Sequence, residues 1–566
     1  MNSLFLLATA AVVLILGYRF YSKLLALWVF RLDVNYSTPA HSRADQREFV
    51  PTNRHIVFGH HFAIVAGATT LIGTAIAVIW GWIPAFLWVL VGTAVAAGIF
   101  GLGTLWLGVR HGGAEPTVIM RELCGARAQA LFLALAFVLL LLLNSILVWL
   151  AADVLRTYPA AVLPFWAQML VALGVGVFLR QRGDGQFVLA TLVSLVITLL
   201  ALWLLGKLLF AFSGALNIDI RGRSLLSFDA TIVWIVLLLV SAYYATRLPV
   251  WKLMQPRGYL VAVHTVILLI ILFVGAIALD PPMVAPAFHM PVEGSGVIPW
   301  IFVTLTSGAI AGFYLLFAAS ITAKQLPQET DARYVGYGVA VAEAVLALSV
   351  ILVCVAGFTS EQKWSAFYGS WEGVRNLPEL LGLYVTGFVQ FARALGIGTV
   401  LAGTFAAFVL ASLIAVTLDA GIRVQKKLLV EFAHRYAVPR LADERMALLA
   451  SVGLVAVLAL SDGHGQGGLA LWPLFGFWNQ ILAAAGLALI TLALYRLQRP
   501  VLYVTTPMTI LLVLAAWALL WQLLRWWLSA NWLLFVIGTA LLIIAIWLAI
   551  EMFRAFKQTT PAVPDA

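Results

Sequence analysis

Apolar stretches about 20 residues long recur from one end of this chain to the other, and nothing constrains its fold more. "LFLALAFVLLLLLNSILVWLA", residues 131–151, is typical. A helix of that length crosses the hydrocarbon core of a bilayer. Lipid offers no partner to backbone N–H and C=O groups, so a spanning segment must satisfy them internally. Continuous apolar runs do this as helices, whereas a barrel would need alternating strands. Hydrophobic residues make up 63% of the 566 and charged residues only 10%. With a mean hydropathy of +1.02, the chain carries more apolar surface than a water-soluble fold of this size can bury.

The expected fold is an all-α polytopic membrane protein with about fifteen spans. They lie near 3–19, 56–80, 85–108, 129–152, 165–179, 187–206, 230–246, 260–279, 299–322, 337–358, 396–418, 447–461, 470–495, 501–524 and 531–553. The intervals between them are too short for a soluble domain. Residues 377–395 are weakly amphipathic, which suits an interfacial or re-entrant helix. The first run has no added positive charge before it, and Arg19 and Lys23 follow it, which fits a retained helix better than a cleaved signal.

The net charge of +10 is an orientation signal rather than a mark of nucleic-acid binding. On this map 26 of the 34 lysines and arginines fall on one side. The positive-inside rule makes that side cytoplasmic, with the N-terminus external and the C-terminus internal. The loop 419–446 is then cytoplasmic and the loop 280–298 external. Cys124 and Cys354, the two cysteines, fall near opposite faces and should not pair.

Two spans differ from the rest. The second carries Gly59, Ala63, Gly67, Thr70 and Gly73, and the ninth Thr304, Ser307, Gly308, Ala311 and Gly312. Small residues at helical spacing permit close helix contact. The two spans also run in opposite directions, and glycine-interrupted helices in oppositely oriented halves point to an inverted-repeat transporter. On that reading the helices break near Gly67 and near Gly308 and meet at the midplane.

Polar groups inside these runs are the candidate functional residues. Glu343 shares a helix face with Gly336, Ala340 and Ala347, so it points at a neighbour or a cavity, as a coupling group or as a structural hydrogen bonder. Asn479 and Gln480 can bond across helices or bind a polar substrate. Lys324 closes the ninth span, as a snorkelling cation or a gate. Asp419 and Arg423, four residues apart, make a helix pair or a gate. His264, at the start of the eighth span, reads as interfacial. His60 and His61 form an adjacent pair inside the second span. Neighbours on a helix point about 100° apart, which disfavours one metal held by both. One ring is expected to pack or bond and the other to face an inner vestibule, where it takes a proton or bonds a substrate. No cofactor, metal or catalytic motif is expected.

Several stretches resemble the carbon starvation protein A family. "TPAHSRADQREFVPTNRHIVFGHHFAIVAG", "YYATRLPVWKLMQPRGYL", "FVTLTSGAIAGFYLLFAASITAKQLPQETDARYVGYGVAVAEAV", "TLDAGIRVQKKLLVEF" and "LWPLFGFWNQILAAAGLALIT" follow its blocks in order over residues 35 to 495. The resemblance implies an inner-membrane uptake system for peptides or, in a close branch, pyruvate. It also implies the amino acid–polyamine–organocation core, a five-plus-five inverted repeat. The chain departs from the family pattern at Thr69 and Thr70, where Gly-Pro is usual. It departs again at Tyr314 for His, at Ala323 for Pro and at Gly258 for Asp. His60, His61, Glu343, Asp419, Asn479 and Gln480 are retained.

These readings divide the chain into an N-terminal helix and loop (1–55), a transport core (56–495), C-terminal helices (496–553) and a tail (554–566). The expected function is proton-coupled secondary transport of a small carboxylate or short peptide. Partners are the bilayer, a small polar substrate, a proton or other ion, and a membrane-protein partner or second copy. The alternative is a transporter fold serving as a structural subunit of a larger membrane complex, suggested by the departures and by the tryptophan-rich "WALLWQLLRWWLSANW".

Overall fold

A computed structural model of the chain describes residues 3–205, 216–220, 223–291, 296–304 and 310–558. In chain order the principal helices are α1 (Leu6–Val29), α2 (Arg54–Val65), α3 (Ala68–Trp80) and α4 (Trp82–Arg110). Next come α5 (Pro116–Cys124), α6 (Ala126–Thr157), α7 (Pro159–Arg182) and α8 (Phe187–Leu205). A short hairpin follows, β1 (Leu216–Ile220) antiparallel to β2 (Arg223–Phe228), with Leu216 opposite Phe228. It lies in a polar interval where no strand is expected and is a small exception among otherwise helical elements.

The chain continues with α9 (Ala230–Arg247), α10 (Met254–Leu279), α11 (Val297–Thr304), α12 (Gly312–Lys324) and α13 (Arg333–Ala356). Then come α14 (Glu361–Tyr368), α15 (Trp371–Arg375), α16 (Leu377–Ala394) and α17 (Thr399–Tyr436). The last are α18 (Glu444–Ala459), α19 (Gly467–Arg496), α20 (Leu502–Leu528) and α21 (Trp532–Gln558).

Among the described residues eleven helices are long and apolar enough to cross a membrane, or twelve with the bent pair α2–α3. The sequence count of about fifteen includes three segments that are shorter or interrupted. These are α8, α18 with 16 residues, and the α11–α12 stretch. At the other extreme α17 has 38 residues. At 1.5 Å per residue it is about 57 Å long, well beyond a hydrocarbon core of about 30 Å.

The chain divides into two compact units. The first comprises Met1–Leu139, Pro282–Arg375 and Leu471–Ala566. Within it α4 crosses α13 at a pair of glycines. A Cβ built on Gly101 would lie 2.5 Å from the Gly336 carbonyl oxygen, and one on Gly336 would lie 2.5 Å from that of Gly101. Only glycine permits this approach, and it sets α13 against α4 on the helix face that carries Glu343. Helix α12 packs on α4 and α19 through further small residues, Gly108 on Ala323 and Gly312 on Leu482. Helices α20 and α21 are the least enclosed of the late spans, and their large apolar side chains point outward.

The second unit comprises Leu140–Pro281 and Asn376–Ala470. Its centre is α17, packed against α9, α10, α16 and α18. Helix α16 covers the amphipathic stretch noted above. Its apolar face, including Leu380, Leu381, Tyr384 and Phe388, is buried in protein rather than laid in an interface.

Candidate transport site

The first spanning pair breaks where the small residues suggest. Helix α2 begins at Asn53, whose side chain accepts a bond from the His55 amide, and it runs through both histidines to Val65. Ala66 (φ −83°, ψ 58°) and Gly67 (φ −95°, ψ −151°) then leave helical geometry, and α3 restarts at an angle of 54°. A break of this kind frees backbone groups and brings the first turn of a new helix beside buried side chains. Thr70 lies in that first turn. Its hydroxyl donates to Glu343 Oε1 of α13 at 2.5 Å. Glu343 is fully buried, and its Oε2 has no hydrogen-bond partner among the described residues.

A cavity of about 20 Å³ adjoins this pair. Thr70, Thr74, Thr93, Ile310, Glu343 and Ala347 are among the residues that line it. A volume of that order holds about one water molecule, and three hydroxyls with a carboxyl give such a molecule the polar partners it needs. Ile310 joins this wall just before α12. Ser307 and Gly308 lie outside the described residues. Thr304, also in the ninth span, bonds its own helix instead, donating to Trp300 O at 3.1 Å.

Both histidines are fully buried, rather than one facing an open vestibule. His61 links α2 to α12: Nε2 meets the Tyr314 hydroxyl at 3.0 Å and Nδ1 the Thr322 hydroxyl at 2.9 Å. With both nitrogens engaged, the ring ties α2 to the two ends of α12. Tyr314 and Thr70, two positions that depart from the family pattern, therefore provide the partners of two retained polar residues. Asn479 Oδ1 accepts from the Phe313 amide at 3.4 Å, at the start of α12. Gln480 beside it is fully buried, and its amide has no hydrogen-bond partner among the described residues.

Lys324 does not snorkel. Its side chain is 6% exposed, and Nζ donates to Glu115 Oε1 at 2.6 Å. Close by in the sequence, Glu329 receives Arg110 through two bonds of 2.5 and 2.8 Å. The loop carrying the "TPAHSRADQREFVPT" stretch lies along this segment. Thr38 Oγ1 donates to Leu326 O at 2.7 Å, and the Val50 and Thr52 amides bond the Lys324 and Gln325 carbonyls at 3.2 Å. Glu115, Arg110 and Glu329 were not candidates from the sequence. Their signal is a charge count: a lysine and an arginine at the ends of spans, each matched by an acid in a nearby polar interval.

The remaining candidates belong to the second unit. Asp419 pairs with Arg257 of α10 at 2.5 Å, and the charge of Arg423, four residues on, also acts on it. Arg423 donates as well to the Ala245 and Leu248 carbonyls at 3.1 and 2.7 Å, at the end of α9. The carbonyls that α9 leaves open at its C-terminus thus share Arg423, and a guanidinium from another helix makes the close contact with the carboxylate. His264 is buried rather than interfacial, with Nδ1 at 3.0 Å from the Gln168 amide nitrogen.

The chain is 27% identical to the peptide transporter CstA of Campylobacter jejuni, over 88% of this chain and 77% of the relative. It is also 27% identical to the pyruvate/proton symporter BtsT of Escherichia coli, over 92% and 81%. Among solved structures it aligns with Mhp1, a nucleobase-cation-symport-1 family transporter, at 16% identity and a TM-score of 0.48, over 94% of this chain and 98% of that one. The relatives are named as transporters, which favours transport over the structural-subunit reading and over an enzyme. The profile of the family described as "Carbon starvation protein CstA" matches residues 2–369 and 378–518, and the chain belongs to that family.

Proposed function

We propose that this protein is a secondary transporter that couples inward proton movement to uptake of a small carboxylate of the pyruvate class or of short peptides. The observation that carries the reading is the Glu343 carboxyl. It is buried beside the α2–α3 break, with a hydroxyl on one oxygen and a cavity next to it. A carboxyl with a neutral partner and one oxygen to spare can take and release a proton without breaking an ion pair. The names of the CstA and BtsT relatives support the substrate classes. The break at Gly67 supports an inverted-repeat core. The excess of basic residues supports an inner-membrane protein with an external N-terminus and a cytoplasmic C-terminus.

In this scheme Glu343, Thr70 and the α2–α3 break form the coupling site. Asn479 and Gln480 add polar contacts near the start of α12, and His60 and His61 set the inner part of α2. The Lys324–Glu115 and Arg110–Glu329 pairs close the inner side, and Asp419 with Arg257 braces the second unit. The test is uptake by proteoliposomes offered labelled pyruvate, amino acids and short peptides, with and without a proton gradient. Glu343→Gln should abolish gradient-driven accumulation while substrate exchange survives, because exchange moves no net protons. Accumulation by the variant at the wild-type level would overturn the proposal.

A further inference from the structure

A second pocket in the first unit has a different character. It measures about 610 Å³ and lies where three long helices begin or end. Cys124 closes α5, Arg127 opens α6, Arg496 closes α19, and Glu551, Arg554 and Gln558 belong to the last turns of α21. Three guanidinium groups from three helices thus face one space that contains a single carboxylate. Arg496 is fixed by a bond from Nη2 to the Leu123 carbonyl at 3.0 Å. Arg554 meets Glu551 at 3.2 Å, yet its side chain remains 58% exposed. The same oxygen, Glu551 Oε1, also accepts from the Trp547 indole nitrogen at 3.3 Å. Burial pushes the Cys124 thiol up to about 12, so it adds no negative charge at neutral pH. The site carries two net positive charges.

Its surroundings indicate what covers it. On α21, Ile546 and Trp547 about one turn before Glu551, and Ile550 and Phe553 on either side of it, are exposed large apolar side chains. A ligand with an anionic head and apolar tails matches that sequence of surfaces. Basic pockets between helix ends, at the level of the headgroups, are the recurring form of such sites, and arginine forks suit phosphate oxygens.

We propose that this pocket binds the phosphate of an anionic phospholipid, with its acyl chains lying along the exposed face of α21. The shared chemistry is a phosphate anion held by Arg127, Arg496 and Arg554; the lipid is its source.

The full-length protein is reconstituted in nanodiscs of phosphatidylcholine containing a titrated fraction of phosphatidylglycerol, and retained lipid is counted by native mass spectrometry. A parallel titration uses inorganic phosphate alone on detergent-purified protein. Wild-type protein should retain phosphatidylglycerol over phosphatidylcholine. Arg127→Gln and Arg554→Gln should each weaken retention about fivefold. Both side chains are exposed, so these variants leave the helix packing intact. Arg375→Gln, an exposed arginine outside the pocket, should change nothing. Equal retention by wild type and both pocket variants would overturn the site. Phosphate that binds alone and needs the same arginines would uphold the anion chemistry and overturn the lipid as its source.

Discussion

Two buried carboxyls, one in each unit, sit in helices of similar apolar character and are held in opposite ways. Glu343 in the first unit has a hydroxyl partner, an oxygen without a hydrogen bond among the described residues and a cavity beside it. Asp419 in the second unit has a guanidinium at 2.5 Å, with the Phe165 ring 5.3 Å from the Arg257 guanidinium carbon. Asp419 is held in an ion pair with Arg257, so a change of its protonation would break that pair. The neutral partner of Glu343 makes no such demand. If Glu343 is the coupling group proposed above, then the charge of the partner, and not depth in the membrane, separates an acid that works from one that braces.

The largest effect should come from breaking the braced pair. Arg257→Met takes from the buried Asp419 carboxylate its close ion-pair partner, which costs about 3–5 kcal/mol. Thermal unfolding in detergent should show a much lower midpoint and reduced yield of folded protein. Arg257→Met combined with Asp419→Leu should recover most of the loss, since an apolar pair of similar volume avoids the stranded charge. A single variant as stable as wild type would erase the distinction between the two carboxyls.

The Glu343 side depends on packing instead. At the α4–α13 crossing, Gly336→Ala places a Cβ against the Gly101 carbonyl at 2.5 Å, an overlap that backbone must absorb. The expected cost is about 1–3 kcal/mol. Because α13 carries Glu343, uptake should fall further than the amount of folded protein, measured on the same proteoliposomes. A smaller change is expected from Thr70→Val, which removes the donor to Glu343 Oε1 at nearly constant volume. The hydrogen bond contributes about 0.5–1.5 kcal/mol, so the midpoint should move little while gradient-driven uptake slows. Uptake unchanged in Thr70→Val would detach that hydroxyl from the coupling site.

Much of this was legible in the sequence because membrane helices are written in composition. The long spans, the break at Gly67 and the burial of Glu343 follow from apolar runs, small residues and a lone acid. What the sequence hides is pairing. Thr70 and Glu343 are 273 positions apart, and Arg257 and Asp419 are 162 apart. Local spacing offered Arg423 to Asp419, but it reports neither the closer Arg257 nor the carbonyls at the end of α9 that share Arg423. Lys324 was legible as a cation at a helix end, yet its burial depends on Glu115, on a different element. Short and interrupted helices are the other weakness. A hydropathy run does not distinguish α8 or α18 from a full span, and a polar interval does not announce the hairpin of β1 and β2.

A third carboxyl, at the surface of the second unit, marks the small end of the scale. Asp229 is exposed and caps α9, with Oδ1 accepting from the Thr231 amide at 2.8 Å. That backbone bond is the largest influence and holds its carboxyl below the usual aspartate range; burial, next in size, opposes it, and the Thr231 hydroxyl, Arg156 and His464 add to the lowering. A folded-state value below the unfolded one gives stability that is fully present above the ordinary aspartate range and is lost as pH falls through the folded value. Asparagine accepts the same bond and does not titrate in this range. Asp229→Asn should therefore unfold within a few tenths of a kcal/mol of wild type at neutral pH, since the two residues cap about equally well. Asp229→Ala should lose about 1 kcal/mol there. Below about pH 4 the advantage of wild type over the alanine variant should shrink, while that of the asparagine variant persists. Added salt should reduce the part due to Arg156 and His464 and spare the part due to the hydrogen bond. The exposed acid thus behaves as a titrating cap worth little, where the acid paired with Arg257 is a brace worth several times more. An Asp229 effect as large as that of Arg257→Met would show that exposure, and not partner charge, had been misjudged as the minor variable.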